Sequence, residues 1–139
     1  KICENYILTA CVGERRIYLQ REDKLIQLTS DHSLVGELLR HNVIKEKELG
    51  YFQNKNIITR ALGMAMSVLV DTNTHEIKPD DIFLLCSDGL SDLITDDDIC
   101  KLIIEGKENI ETLAEKLVQK ANDNGGDDNI TVTLVKIKA

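Results

Sequence analysis

The chain has 139 residues, of which 42% are hydrophobic and 29% are charged, as in one ordinary globular domain. A net charge of −7 disfavours tight binding to a nucleic-acid backbone, and the sequence lacks the run of about 18 apolar residues that predicts a membrane span. The four cysteines form no C-x-x-C pair, which argues against structural zinc and favours a reducing cytoplasm.

The first third of the chain predicts antiparallel strands. A short apolar run over residues 6–12 ends at Gly13. Two further apolar runs, residues 17–19 and 25–28, lie on either side of a polar turn at residues 21–24. Apolar runs joined by a short polar turn favour a hairpin.

A helix, a polar stretch and two strands are predicted next. Apolar residues recur at helical spacing over residues 33–41, whereas residues 42–56 are polar and predict a surface excursion. Residues 67–71 predict a strand. Residues 82–86 predict a central strand, because they are apolar on both faces.

The last third predicts two helices and a closing strand. Thr95 and Asn109 are suitable N-caps, and the second helix has an apolar stripe that ends before Gly125 and Gly126. A strand follows at residues 130–137. Hairpin connections outnumber β-α-β crossovers, so the sequence predicts an α+β layered domain rather than a doubly wound sheet.

Two polar segments follow or precede predicted strands, and both have two interpretations. Asp88 comes directly after the apolar strand and before Gly89, where a carboxylate either binds a partner or a metal, or caps the next turn. Residues 125–129 contain two glycines and Asp127 and Asp128; they form either an ordinary turn or a cation-binding loop. Hard cations such as Mg²⁺ and Mn²⁺ prefer the carboxylate oxygens that both segments offer.

Four segments resemble, in order, blocks of the 2C-type protein phosphatase family, particularly its bacterial members. They are residues 28–33 (LTSDHS), 58–63 (ITRALG), 81–92 (DIFLLCSDGLSD) and 125–132 (GGDDNITV). The resemblance implies an antiparallel β-sandwich flanked by helices in α-β-β-α layers. It also implies hydrolysis of phosphoserine and phosphothreonine in proteins by a hydroxide bound to two or more Mn²⁺ or Mg²⁺ ions.

The resemblance assigns roles to individual residues. Asp88 and Asp128 match metal-binding aspartates of the family, whereas Asp127 falls on a variable position. His32 and Arg60 match positions that are structural, with Arg60 expected to pair with a carboxylate. Residues 34–57 match a variable flap beside the active site.

Two departures from the family pattern affect the expectations. The family usually has Gly-Asp-Ser-Arg where this chain has Gly-Glu-Arg-Arg at residues 13–16, a loop that we expect to be structural. Opening strands, an acidic residue, an Asp-Gly metal pair and a phosphate-binding basic residue precede these blocks in the family. We therefore interpret residues 1–139 as the carboxyl-terminal portion of one catalytic domain, with an incomplete sandwich and an incomplete metal site.

The expected partners follow from this interpretation. They are a phosphorylated protein substrate, an opposing serine/threonine kinase and, through exposed sheet edges, a second copy of the chain. Nucleic acid and membranes are not expected. The alternative is a non-catalytic pseudophosphatase or partner-binding module. A start codon near Lys1 would support this module, whereas an upstream Asp-Gly metal block would support the enzyme.

Overall fold

The computed structural model describes residues 1–45, 47–48 and 57–138. Within these ranges the elements, in chain order, are β1 (Tyr6–Cys11), β2 (Arg16–Arg21), β3 (Lys24–Gln27), α1 (Leu34–Arg40), β4 (Asp71–Glu76), β5 (Ile82–Cys86), α2 (Asp88–Ser91), α3 (Asp96–Gly106), α4 (Ile110–Asp123) and β6 (Val132–Lys136). Of the predicted flap, residues 34–57, positions 46 and 49–56 lie outside the described residues.

The strands form two antiparallel sheets. One has the order β3-β2-β5-β6, and the other consists of β1 and β4. The predicted hairpin is β2–β3, in which Tyr18 pairs with Gln27 across a turn where Glu22 has a φ of 56°. Two antiparallel sheets with flanking helices confirm the predicted α+β class.

The apolar side chains of β5 divide between two cores. Leu84 and Cys86 belong to the larger core, where α3 and α4 cover the four-stranded sheet, while Phe83 packs with Ile7 and Leu19 in a smaller core next to β1. This strand is therefore apolar on both faces, as the sequence predicts. Fully burying one leucine of the larger core stabilises the fold by about 1.5–3 kcal/mol.

Side chains cap both long helices as predicted. The Thr95 hydroxyl accepts a hydrogen bond from the Asp98 amide, and the Asn109 side chain accepts one from the Thr112 amide. The stripe of α4 is fully buried at Leu113, Leu117 and Ala121. All four cysteines are free, and Cys11 and Cys86 are buried as expected.

The predicted strand over residues 67–71 is wrong. The strand of this region is β4, a polar segment that begins at Asp71 and pairs with β1 over six residues. Leu69 and Val70, which suggested a strand, are 73% and 44% exposed. Pairing with β1 outweighs the intrinsic preference of the apolar residues, because strand propensity depends strongly on context.

No helix within the described ranges combines the length and the apolar character needed to cross a bilayer.

Candidate metal centre

The end of β5 lies against the loop that precedes β6. Ser87 joins them, because its hydroxyl donates to the Asn129 carbonyl at 2.8 Å and accepts from the Thr131 amide at 3.0 Å. The Ser87 amide also donates to the Thr131 carbonyl at 3.1 Å. These three bonds hold the residue that precedes Asp88 against residues that follow Asp128, although about forty residues separate the two aspartates in the chain.

Gly89 allows the two loops to approach closely. A Cβ atom at this position would lie 2.6 Å from the Asn129 carbonyl oxygen and 3.5 Å from the carbonyl carbon of Asp128. Both are backbone atoms, so a larger residue would force the loops apart. The sequence predicts that Gly89 lets the backbone bend or approach a ligand, but it does not indicate that the neighbouring backbone is that of residues 128 and 129.

Asp88 is half-buried and forms an ion pair. Its Oδ1 lies 2.6 Å from Nη1 of Arg15 and accepts the Gly89 amide at 3.1 Å. Both contacts end on Oδ1, so the second carboxylate oxygen, Oδ2, takes part in neither. Asp128 is exposed, and its Oδ1 accepts the amide of Asn129 at 2.6 Å.

The carboxyl groups of Asp92 and Glu14 lie within electrostatic range of Asp88. Asp92 is in contact with solvent, but partial desolvation raises its pKa. The carboxylates of Asp88 and Asp128 raise that pKa further. Burial also raises the pKa of Glu14, with Asp31 and Asp88 contributing. Asp88 and Asp128 both raise the pKa of Asp92, and Asp88 also raises that of Glu14. We call these four carboxyl groups the acidic neighbourhood.

The residues present fit a divalent cation in part. Carboxylates are the ligands that Mg²⁺ and Mn²⁺ prefer, and Gly89 leaves room for backbone close to Asp88. Within the described ranges, however, no three His, Cys, Asp or Glu side chains are grouped so that they could hold one ion. Among the described residues, Asp88 and Asp128 are thus two carboxylates on neighbouring loops, and a metal centre would need further ligands.

His32 and Arg60 lie in a separate network, consistent with the structural role expected of them. His32 is fully buried; its Nδ1 accepts the Gly13 amide, so Nε2 carries the hydrogen and donates to Asp71 at 3.0 Å. Arg60 donates to Asp71 at 2.7 Å and to Glu37 at 3.2 Å. Arg60 was predicted to pair with a carboxylate, and it pairs with two, those of Asp71 and Glu37. Since Glu37 lies on α1 and Asp71 begins β4, the network joins these two elements.

Asp71 should make the fold sensitive to acid. Hydrogen bonds from His32, and then from Arg60, lower its pKa to about 2. An unfolded Asp titrates near 3.9, so the stabilisation is complete above about pH 4 and is lost as the pH falls towards 2. Asp71→Asn should lower the free energy of unfolding by about 1–2 kcal/mol at pH 7.

Urea denaturation of both proteins at pH 7 and near pH 2.5 measures this effect. The difference between wild type and Asp71→Asn should shrink at the lower pH. An equal difference at both values would show that the Asp71 charge does not stabilise the fold.

Sequence reasoning missed one contact at the centre. The loop at residues 13–16 was interpreted as structural, which holds for Arg16, since it binds both oxygens of Asp31 and the hydroxyl of Tyr18. Arg15 instead reaches Asp88, seventy-three residues further along the chain. In the resemblance, Arg15 stands where the family pattern Gly-Asp-Ser-Arg has serine, and this difference was the signal in the sequence that could have identified the contact. Only the pairing of β2 with β5 shows that Arg15 lies beside Asp88.

Comparison with known proteins identifies similar sequences and folds. The family model described as protein phosphatase 2C matches residues 44–130. The serine/threonine phosphatase stp of Listeria innocua is 40% identical over 135 residues, which are 97% of this chain and 53% of that protein. The chain therefore spans about half the length of the curated relatives it matches.

Solved structures agree with this match. A serine/threonine phosphatase of S. agalactiae is 36% identical with a TM-score of 0.91, over 99% of this chain and 56% of that one. The catalytic domain of the phosphatase PstP, solved with two manganese ions, is 30% identical with a TM-score of 0.85, again over 99% and 56%.

Proposed function

The chain belongs to the protein phosphatase 2C family, and we propose on that premise that it forms the carboxyl-terminal part of a metal-dependent protein serine/threonine phosphatase domain. The observation that supports this proposal most directly is the set of hydrogen bonds from Ser87 to Asn129 and Thr131. They bring the Asp88 and Asp128 loops together at one end of the four-stranded sheet.

Asp88 and Asp128 would bind Mn²⁺ or Mg²⁺ through their carboxylates. Bound ions of this kind lower the pKa of water and offset negative charge on a phosphoryl group. Ser87 and Gly89 position the two loops, since one joins them by hydrogen bonds and the other permits their close approach. The remaining ligands of the centre would be the acidic residue and the Asp-Gly pair that the resemblance places before the four matching segments.

The substrate class follows from the family. We propose that the whole protein removes phosphate from phosphoserine and phosphothreonine in proteins, in the cytoplasm of a bacterium, and opposes a serine/threonine kinase. The relatives named above are bacterial phosphatases of this type.

A non-catalytic module that retains the fold is the second candidate. Within the described ranges no three side chains are grouped so that they could hold an ion together. The two candidates differ in whether Asp88 and Asp128 bind a divalent cation at all.

Titration of the chain with Mn²⁺, followed by the electron paramagnetic resonance signal of the free ion, tests the proposal. Asp88→Asn and Asp128→Asn should each weaken Mn²⁺ binding by at least roughly tenfold, because each removes a charged ligand from a pair.

Asp127→Asn is the matched control, since it removes the same charge from the residue next to Asp128. It should bind Mn²⁺ nearly as the wild type does. Equal losses in all three variants would indicate general charge attraction and would contradict a defined site.

A further inference from the structure

Arg15 contacts the carboxylate that the proposed function assigns to the metal. Its Nη1 lies 2.6 Å from Oδ1 of Asp88, well within ion-pair distance. The side chain of Arg15 is 62% exposed and that of Asp88 is 30% exposed. The guanidinium can therefore leave Asp88 for solvent without breaking a packed core.

Arg15 also differs from its neighbour in the partners it binds. Arg16 donates to both oxygens of Asp31, and its own side chain is only 23% exposed. Arg16 is thus held in a partly buried ion pair. Among the described residues, the cation whose ion pair ends on Asp88 is Arg15.

The surroundings make a positive charge at this position favourable. Glu14, Asp92 and Asp128 lie in the same acidic neighbourhood as Asp88. Like charges brought together repel, and either a guanidinium or a divalent cation relieves that repulsion. The guanidinium of Arg15 and a divalent cation would both neutralise the Asp88 carboxylate, and the two positive charges would repel each other.

We propose that Arg15 competes with the divalent cation for Oδ1 of Asp88, so that metal binding displaces the guanidinium. Arg15 then orients Asp88 while metal is absent and raises the metal concentration needed to fill the site. The coupling is reciprocal, because a bound metal weakens the ion pair by the same factor by which the ion pair weakens metal binding. This inference rests on the proposed function, since it assumes that Asp88 is a metal ligand.

Mn²⁺ titration of Arg15→Ser, with the free ion followed by electron paramagnetic resonance, tests the competition. Serine removes the guanidinium charge and leaves a small polar side chain. The variant should bind Mn²⁺ roughly two- to fivefold more tightly than wild type, which is the range that an exposed ion pair supplies. Lys101→Ser is the control, because Lys101 is 71% exposed and pairs with Asp98 on α3; its Mn²⁺ affinity should equal that of the wild type.

Nuclear magnetic resonance detects the displacement itself. The Nε–Hε resonance of Arg15 should move as Mg²⁺ is added to wild type, and should not move in Asp88→Asn. Unchanged or weaker Mn²⁺ binding by Arg15→Ser, or a resonance that stays fixed at saturating Mg²⁺, would overturn the competition.

Asp88→Asn separates this inference from the proposed function. If Asp88→Asn binds Mn²⁺ as wild type does, the metal lies elsewhere and the proposed function fails with the inference. If Asp88→Asn loses Mn²⁺ while Arg15→Ser binds it unchanged, only the competition fails.

Discussion

The 139-residue polypeptide should hydrolyse a phosphothreonine peptide in Mn²⁺ on the order of a thousandfold more slowly than a full-length relative, since metal ions supply several kcal/mol of transition-state stabilisation. The proposed function assigns Asp88 and Asp128 to a metal centre for which the described residues group no third ligand. Ions held by so few carboxylates would be neither tightly bound nor fixed in position, and phosphoryl transfer depends on both.

Released phosphate, measured side by side with the Listeria innocua phosphatase at equal concentration, tests this prediction. Asp88→Asn in the same preparation shows how much of any residual rate comes from contaminating phosphatases. Turnover by the 139 residues that approaches the relative's rate, and that Asp88→Asn removes, would show that these residues hold a complete centre.

The same polypeptide should self-associate. Tyr6 and Leu8 on the outward face of β1 are 44% and 40% exposed, and Leu62 and Leu69 are 79% and 73% exposed. Solvated apolar side chains at this density are typical of surfaces that another chain or segment covers. Among the described residues, β3 and β6 are the edge strands of the four-stranded sheet, and such edges carry backbone groups that a second strand can bind.

Sedimentation velocity at micromolar concentration measures the association. Wild type should sediment as a dimer or larger species, and a Leu8→Ser, Leu69→Ser double variant should shift towards the monomer. Lys101→Ser is the control for a surface substitution on the opposite, helical side of the four-stranded sheet. A wild-type polypeptide that remains a monomer throughout the concentration range would contradict the prediction.

Much of the fold could be predicted because its local signals agree with its tertiary contacts. The caps Thr95 and Asn109 and the apolar stripe of α4 each specify a helix locally, and the structure confirms them. The β4 strand could not be predicted, because its residues are polar and only pairing with β1 makes them a strand. The prediction over residues 67–71 failed for the opposite reason, since Val68, Leu69 and Val70 are apolar but belong to no strand among the described residues.

The candidate site was predictable to a smaller extent. Asp88 and Gly89 were identifiable because a charged residue and a glycine follow the end of an apolar strand. Asp128 was identifiable because it matches a family ligand in the resemblance. Their placement in adjacent loops depends on Ser87, whose hydroxyl bridges to Asn129 and Thr131. No periodicity or spacing in the sequence indicates that bridge.

Anomalous diffraction from crystals soaked in Mn²⁺ tests the central claim most directly. We expect an anomalous peak within coordination distance of carboxylate oxygens from both Asp88 and Asp128, with the Arg15 side chain turned away from Asp88. Density that leaves the Arg15–Asp88 ion pair and the Asp128–Asn129 turn intact, with no manganese near either carboxylate at saturating metal, would contradict it.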